Sequence, residues 1–305
     1  MTAARARGAA MSARSDGDTL RGFVLALGAY LIWGGLPLYL KLVAHIPLPE
    51  VLAHRIVWSV PVALAVLLAL RRTSDLRRGL TTPRLLAMAG LTAALITVNW
   101  SVYLYAIMVD QALDAALGYY INPLFSIFLG AVVLGERLSR AQWGAVALAG
   151  VAVAILTWEA GSLPLVSLAL TFTWGFYALF KRALPIGPNQ GFTLEVILLA
   201  PFGLAYLVWM QGQGTLTFGH TGWRDTLLLL GCGVVTAVPL MLYANGAKGL
   251  KLTTIALMQY IAPSGIFLSA VLVFGEPFDG AKRIAFPLIW GALALYSLDL
   301  IRRRR

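Results

Sequence analysis

An all-α polytopic membrane protein, ten transmembrane helices arranged as two inverted five-helix repeats, is the fold class this sequence predicts, and three observations predict it. Of 305 residues, 59% are hydrophobic and 12% charged, with mean hydropathy +0.80, whereas a soluble domain is about half apolar and a quarter charged. The apolar residues gather into ten runs of about 20, the helical length that crosses a hydrocarbon core about 30 Å thick. The second half also echoes the first in one register, as set out below. So few charges could not cover the surface of a soluble enzyme of this size.

The first 21 residues, with Arg5, Arg7, Arg14, Arg21, Asp16 and Asp18, are polar and small and read as a disordered cytoplasmic tail. The stretch after Arg21 stays apolar for about 20 residues, beyond the apolar core of a cleaved signal, so it is a span. The first repeat, 22–158, holds spans at 22–43, 50–70, 85–107, 115–134 and 141–158. The first ends near Lys41 and His45, the second lies between Pro49-Glu50 and Arg71-Arg72, and the third lies between Arg84 and Asp110. The fourth runs from Asp114 to Gly135-Glu136, and the fifth from Arg140 to Glu159. The second repeat, 163–301, holds spans at 163–181, 191–211, 225–246, 253–274 and 284–301. These are marked off by Gly161, Lys181-Arg182, Pro188, Gly212 and Gly214, Asp225, Lys248, Lys251, Gly275-Glu276 and Lys282-Arg283, and a basic cytoplasmic end occupies 302–305. The runs lack the in-and-out alternation of a membrane barrel, and a helix is the other structure that satisfies its own backbone in lipid.

An even number of spans puts both termini on one side. That side collects 19 cations: Arg5, Arg7, Arg14, Arg21, Arg71, Arg72, Arg77, Arg78, Arg84, Arg137, Arg140, Lys181, Arg182, Lys248, Lys251 and Arg302 to Arg305. The other side holds 3, Arg224, Lys282 and Arg283, with Lys41 and Arg55 inside spans. Cations favour cytoplasmic loops, so both termini are expected in the cytoplasm. The net charge of +11 is therefore a matter of topology and lipid headgroups, and no nucleic-acid partner is expected. A single Cys232 and the scattered His45, His54 and His220 offer neither a disulfide nor a metal-ligand spacing, and no cofactor is expected.

At an offset of 140 residues, Tyr120-Ile121-Asn122-Pro123 faces Tyr260-Ile261-Ala262-Pro263, and Gly135-Glu136 faces Gly275-Glu276. Trp33-Gly34 faces Trp174-Gly175 at 141, and Leu104-Tyr105-Ala106 faces Leu242-Tyr243-Ala244 at 138. Because five is odd, the second copy must enter from the opposite face, so the repeats are inverted. Two such halves can exchange conformations and open a shared cavity to either side in turn.

The order Trp33-Gly34, Lys41, His54-Arg55, the Pro123 segment with Gly135-Glu136-Arg137, then Pro263 and Gly275-Glu276, resembles the EamA family of the drug/metabolite transporter superfamily. Within it, Asn99-Trp100, the run Leu117 to Leu124, and Gln259-Tyr260-Ile261 with Pro263 are similar to the RarD subgroup. The resemblance, over about residues 20–300, implies a carrier in a bacterial inner membrane with a site between the repeats; it names no cargo.

Candidate cavity residues follow from the chemistry of polar groups in lipid. Arg55 lies about 8 Å below the external boundary at 1.5 Å per residue, and it either recognises an anion at the external mouth beside His54 or snorkels or pairs with Glu50 or Asp114. Glu195 is its counterpart 140 residues on, about 15 Å away in depth after inversion. It either pairs with Lys181, Lys248 or Lys251 or exchanges protons with a cavity. Lys41 is read as snorkelling. Asn99, Asn122 and Gln259 need partners across helices or a wet cavity, and the aromatic set Trp33, Trp100, Tyr103, Tyr119, Tyr120, Trp174, Tyr243 and Tyr260 forms either packing or a shared wall. Pro123 and Pro263 are the expected gating bends, since each frees a backbone carbonyl. Ala141, Ala145 and Ala149 make a close-packing face for the bundle or for a homodimer.

The function expected is secondary transport of a small metabolite or drug-like solute. No phosphate-binding loop is present, so proton-coupled or facilitated movement is favoured over ATP drive. The alternatives are a membrane-embedded enzyme or a scaffold subunit; the short loops offer no concentrated catalytic set, and no enzyme activity is expected.

Overall fold

The computed structural model describes residues 19–302 except 72, 136 and 251. The amino-terminal tail to residue 18, Glu136 of the Gly135-Glu136 pair, Arg72, Lys251 and residues 303–305 of the basic end lie outside the described residues.

Twelve α-helices follow in chain order, with no strand among the described residues: α1 (Leu20–Leu42), α2 (Leu48–Ala69), α3 (Ser74–Thr81), α4 (Pro83–Met108), α5 (Ala112–Leu134) and α6 (Arg140–Ala160). Then come α7 (Leu165–Ala183), α8 (Pro188–Gln213), α9 (Trp223–Gly246), α10 (Leu252–Met258), α11 (Ile261–Leu268) and α12 (Lys282–Arg302). Nine stretches among the described residues are long and apolar enough to cross a membrane, with Thr254–Val273 counted as one. The sixth expected span is present as α7, but Ser167, Thr171 and Thr173 and the terminal Lys181-Arg182 lower its apolar content, and it is not among the nine.

Two elements depart from the expected plan. The segment between the second and third spans contains the short α3, because Leu76 docks among Leu67, Ala89 and Leu194 while Arg77 and Arg78 sit in its polar remainder. The ninth span is broken: α10 ends at Met258, Gln259 and Tyr260 form a turn, and α11 resumes at Ile261 and passes into a π-helical stretch, Ser269–Val273. Pro263 cannot donate to Gln259, four residues back, so the ladder is interrupted at this turn. Pro123 lies inside an unbroken α5, so the two expected bends are not equivalent.

Packing is among helices distant in sequence. The principal neighbours are α6 with α12, α2 with α8 and α9, α5 with α7, α4 with α7, α1 with α9, and α11 with α1 and α5. The small face of α6 is used here, with Ala145 and Ala149 buried in the same cluster as Ala285, Ile289 and Ala292 of α12. Helix backbones approach closely at Gly34 and Gly265, where a Cβ on Gly265 would stand 2.6 Å from the Gly34 Cα, and at Gly233, where one would stand 2.3 Å from the Trp58 backbone carbon. Large apolar side chains such as Phe202, Val208 and Leu272 remain exposed on the outside, the surface lipid would cover.

Loop contacts sort into two ends of the bundle. At the terminal end, the Thr19 N–H and hydroxyl both donate to the Gly249 carbonyl (2.9 and 3.0 Å), and the Ser139 hydroxyl donates to Asp299 (2.9 Å). At the far end, Lys41 pairs with Asp110 at 2.5 Å, Lys282 with Asp114 at 3.6 Å, and His45 meets Asp225 at 3.1 Å.

Candidate functional site

Between these ends lies a cavity of about 1090 Å³. Its wall is assembled from helical faces, since residues three or four apart project the same way. Thus α4 contributes Asn99, Trp100 and Tyr103; α5 contributes Tyr119, Asn122 and Ser126; and α7 contributes Trp174, Tyr177, Ala178 and Lys181. Trp33 and Leu36 come from α1, Arg55 from α2, Phe192 from α8, and Thr236, Leu240 and Tyr243 from α9, while Gln259, Pro263 and Ile266 come from the broken span. Arg182, Pro188, Asn189, Lys248 and Leu250 line it at the terminal end, so it opens there.

The far end is closed by bonds that join the halves. The Glu50 carboxylate of α2 accepts the Thr217 and Phe218 amides at 2.8 and 3.1 Å. Glu276 accepts the Ala112 and Leu113 amides at 2.6 and 2.8 Å. Those two amides are the first of α5, whose own cap residue Gln111 makes no side-chain cap bond; the carboxylate both satisfies the amides and meets the positive end of the helix dipole. The Tyr39 hydroxyl donates to the Leu228 carbonyl.

Arg55 sits on the cavity floor next to this seal, 2% exposed. Its Nε–H donates to Thr236 Oγ1 at 3.1 Å and its guanidinium carbon lies 5.3 Å from the centre of the Trp100 ring. Nη1 has no hydrogen-bond partner and no carboxylate of the described residues pairs with it. The expected partners are engaged elsewhere: Glu50 with backbone amides and Asp114 with Lys282. In this conformation the far end is shut over Arg55, and the cavity is lined at the terminal end by Arg182, Asn189 and Lys248.

Asn99 joins helices, with its amide donating to the Leu170 carbonyl (3.2 Å) and Thr173 (2.9 Å) and its oxygen accepting from Tyr119 (3.1 Å). Asn122 lines the cavity with an unpartnered Oδ1, and the Tyr103 hydroxyl is likewise unpartnered. Trp33, Tyr30 and Tyr243 form an edge-packed cluster with centroids 5.7 to 5.8 Å apart.

Five candidates lie off the wall. Tyr120 is turned to Ser264 (2.7 Å) and packs on Phe286 and Trp290, because its neighbour Tyr119 takes the cavity side of the helix. Tyr260 falls in the helix break and packs against the core, and Pro123 follows Asn122 onto the next face of α5. His54, one residue before Arg55, accepts from the Trp58 indole at 2.9 Å beneath Phe218. Glu195 is buried behind Lys181, 2.6 Å from its ammonium and 3.3 Å from the Tyr177 hydroxyl.

The reading from sequence missed Tyr30, Tyr177, Phe192, Asn189 and Thr236. Tyr177 was accessible to pattern, three residues beyond Trp174; Thr236 was not, since its hydroxyl also bonds its own helix at Cys232 (2.7 Å).

Residues 20–158 match the family model described as the EamA-like transporter family. An uncharacterized transporter of Vibrio cholerae is 42% identical over 92% of this chain and 93% of its own. The chain belongs to the EamA-like transporter family. The protein RarD of Escherichia coli is 38% identical to this EamA member over 94% of this chain and 97% of its own, and the protein RarD of Streptomyces exfoliatus is 39% identical over 96% and 93%. A solved crystal structure shares the fold at TM-score 0.59 with 21% identity, covering 91% of this chain and 97% of that one. The EamA protein is thus a multi-pass membrane transporter by family rather than an enzyme.

Proposed function

We propose that this chain is a secondary transporter that moves a small metabolite or drug-like solute across a bacterial inner membrane by alternating access, coupled to protons or driven by the solute's own gradient. The observation that carries this reading is the cavity, open at one end of the bundle and sealed at the other by bonds between the two halves of the chain. Ten crossings, with α10 and α11 as one and α7 included, put both termini in the cytoplasm by the 19 to 3 split of cations. The conformation is then open to the cytoplasm.

The inverted repeat is supported by packing. Exchanging each helix for its partner five spans on turns the α1–α9 contact into α7–α4, and α5–α7 into α11–α1, all of which occur. The close approach of Gly34 to Gly265 is matched by Gly175 against Phe125, its counterpart in the repeat.

Cysteine labelling with an impermeant maleimide in oriented vesicles tests the reading, in a Cys232→Ala background. A cysteine replacing Ala178, near the mouth, should react from the cytoplasmic side. One replacing Leu36, on the deep wall, should react from both sides because the carrier spends time in each state. Reaction of the Leu36→Cys variant from neither side or from one side alone would remove alternating access.

A further inference from the structure

We propose, resting on the carrier reading above, that the solute is an organic monocarboxylate with a neutral, largely aromatic or apolar body, and that Arg55 holds its carboxylate at the closed end of the cavity. A guanidinium taken out of water without a counter-charge is strongly unfavourable. Arg55 is in that state: it is 2% exposed, pairs with no carboxylate of the described residues and has Nη1 unpartnered, while its Nε–H donates to the Thr236 hydroxyl and its guanidinium lies against the Trp100 face. Both leave the charge uncancelled. An arriving carboxylate would supply the acceptor and the negative charge together, in the planar geometry a guanidinium matches.

The rest of the wall narrows the class. No Asp or Glu among the described residues lines the cavity, so a solute ammonium would find no counter-ion, which disfavours amines and zwitterions. Lys181, the next cation up, already faces Glu195 at 2.6 Å. One buried guanidinium then suits a single negative charge better than a phosphate dianion. The unpartnered Tyr103 hydroxyl and Asn122 Oδ1 are neutral, fit for a hydroxyl or amide on the body. Aromatic side chains surround the floor, which favours burying a ring.

A matched series on one ring tests this by thermal unfolding of the purified full chain and by quenching of its tryptophan fluorescence: 4-hydroxyphenylacetate, 4-hydroxyphenylacetamide, tyramine, tyrosine and phenyl phosphate. The acid should raise the unfolding temperature and quench in a saturable way, with the amide, tyramine, tyrosine and phenyl phosphate at least tenfold weaker. Arg55→Gln should abolish the acid's effect; Arg55→Lys, which keeps the charge and loses the planar fork, should weaken it severalfold and serves where the Gln variant does not fold. No response to the acid, an equal response to any of the other four probes, or an undiminished response in folded Arg55→Gln and Arg55→Lys would overturn the proposal. The cysteine labelling uses no solute, so a failed carrier reading and a wrong solute class give different results.

Discussion

At the residue scale, two basic side chains inside the bundle behave differently because of what stands within about 4 Å of them. Lys181 is compensated by Glu195 at 2.6 Å, with Tyr177 as a second donor to the same carboxylate; Arg55 pairs with no carboxylate of the described residues. Removing one member of a buried pair strands the other, at roughly 3 to 5 kcal/mol. Glu195→Ala should therefore lower stability by about 3 kcal/mol. The double variant Lys181→Met with Glu195→Leu should recover most of the loss, read from melting curves in detergent. Equal losses in the single and double variants would show that the pair does not hold the fold. Glu195 was legible from sequence as an ionisable group in a span, and Lys181 as its candidate partner. That Arg55 would lack one among the described residues was not legible, because Glu50 and Asp114, the two partners the sequence offered, are drawn off to backbone amides and to Lys282.

At the scale of elements, backbone approach decides which helices can cross. Gly34 and Gly35 are adjacent in α1, yet a Cβ on Gly35 would meet nothing within 4 Å, whereas one on Gly265 would stand 2.6 Å from the Gly34 Cα. Gly265→Ala must push α11 from α1 and should destabilise by about 1 to 3 kcal/mol, the usual cost of overpacking. Gly35→Ala should be neutral or stabilising by up to about 1 kcal/mol through helix propensity. Thermal unfolding of the two variants compares them directly, and a tolerated Gly265→Ala would mean that the crossing is loose. The paired pattern Trp33-Gly34 and Trp174-Gly175 marked these positions in the sequence, but Gly265 carried no mark, since its role depends on a partner from the other half.

At the scale of the whole molecule, the far end is held shut by two carboxylates acting on backbone amides of the other half. Charge-assisted bonds of this kind contribute about 1.5 to 3 kcal/mol each, enough to weight one conformation of a carrier over another. The double variant Glu50→Gln, Glu276→Gln should raise maleimide labelling of a Leu36→Cys variant from the periplasmic side by more than tenfold and lower it from the cytoplasmic side. Unchanged labelling from both sides would place the seal elsewhere. Orientation itself has an independent check. A reporter active only in the periplasm, fused after the last residue, should be silent; activity would invert the arrangement.

Hydropathy and the boundaries of the apolar runs by themselves determined a helical membrane protein and the places of those runs, because these are written in the composition of neighbouring residues, while particular residues such as Trp33-Gly34, Asn99-Trp100 and Gln259-Tyr260 carried the resemblance to EamA transporters. The runs also placed Trp33, Arg55, Asn99, Trp100, Tyr103, Tyr119, Asn122, Trp174, Tyr243 and Gln259 in spans, and all ten line one cavity. What only the tertiary structure decided was which face each helix turns to that cavity, which end of it is open, and which charges are cancelled. Tyr119 and Tyr120 are alike in composition and depth, and a rotation of one residue separates cavity wall from core. Pro123 and Pro263 are equivalent by repeat, and only one stands at a broken helix. Such differences arise from contacts between residues more than a hundred positions apart, such as Glu276 with Ala112 or Arg55 with Thr236, and no local pattern encodes them.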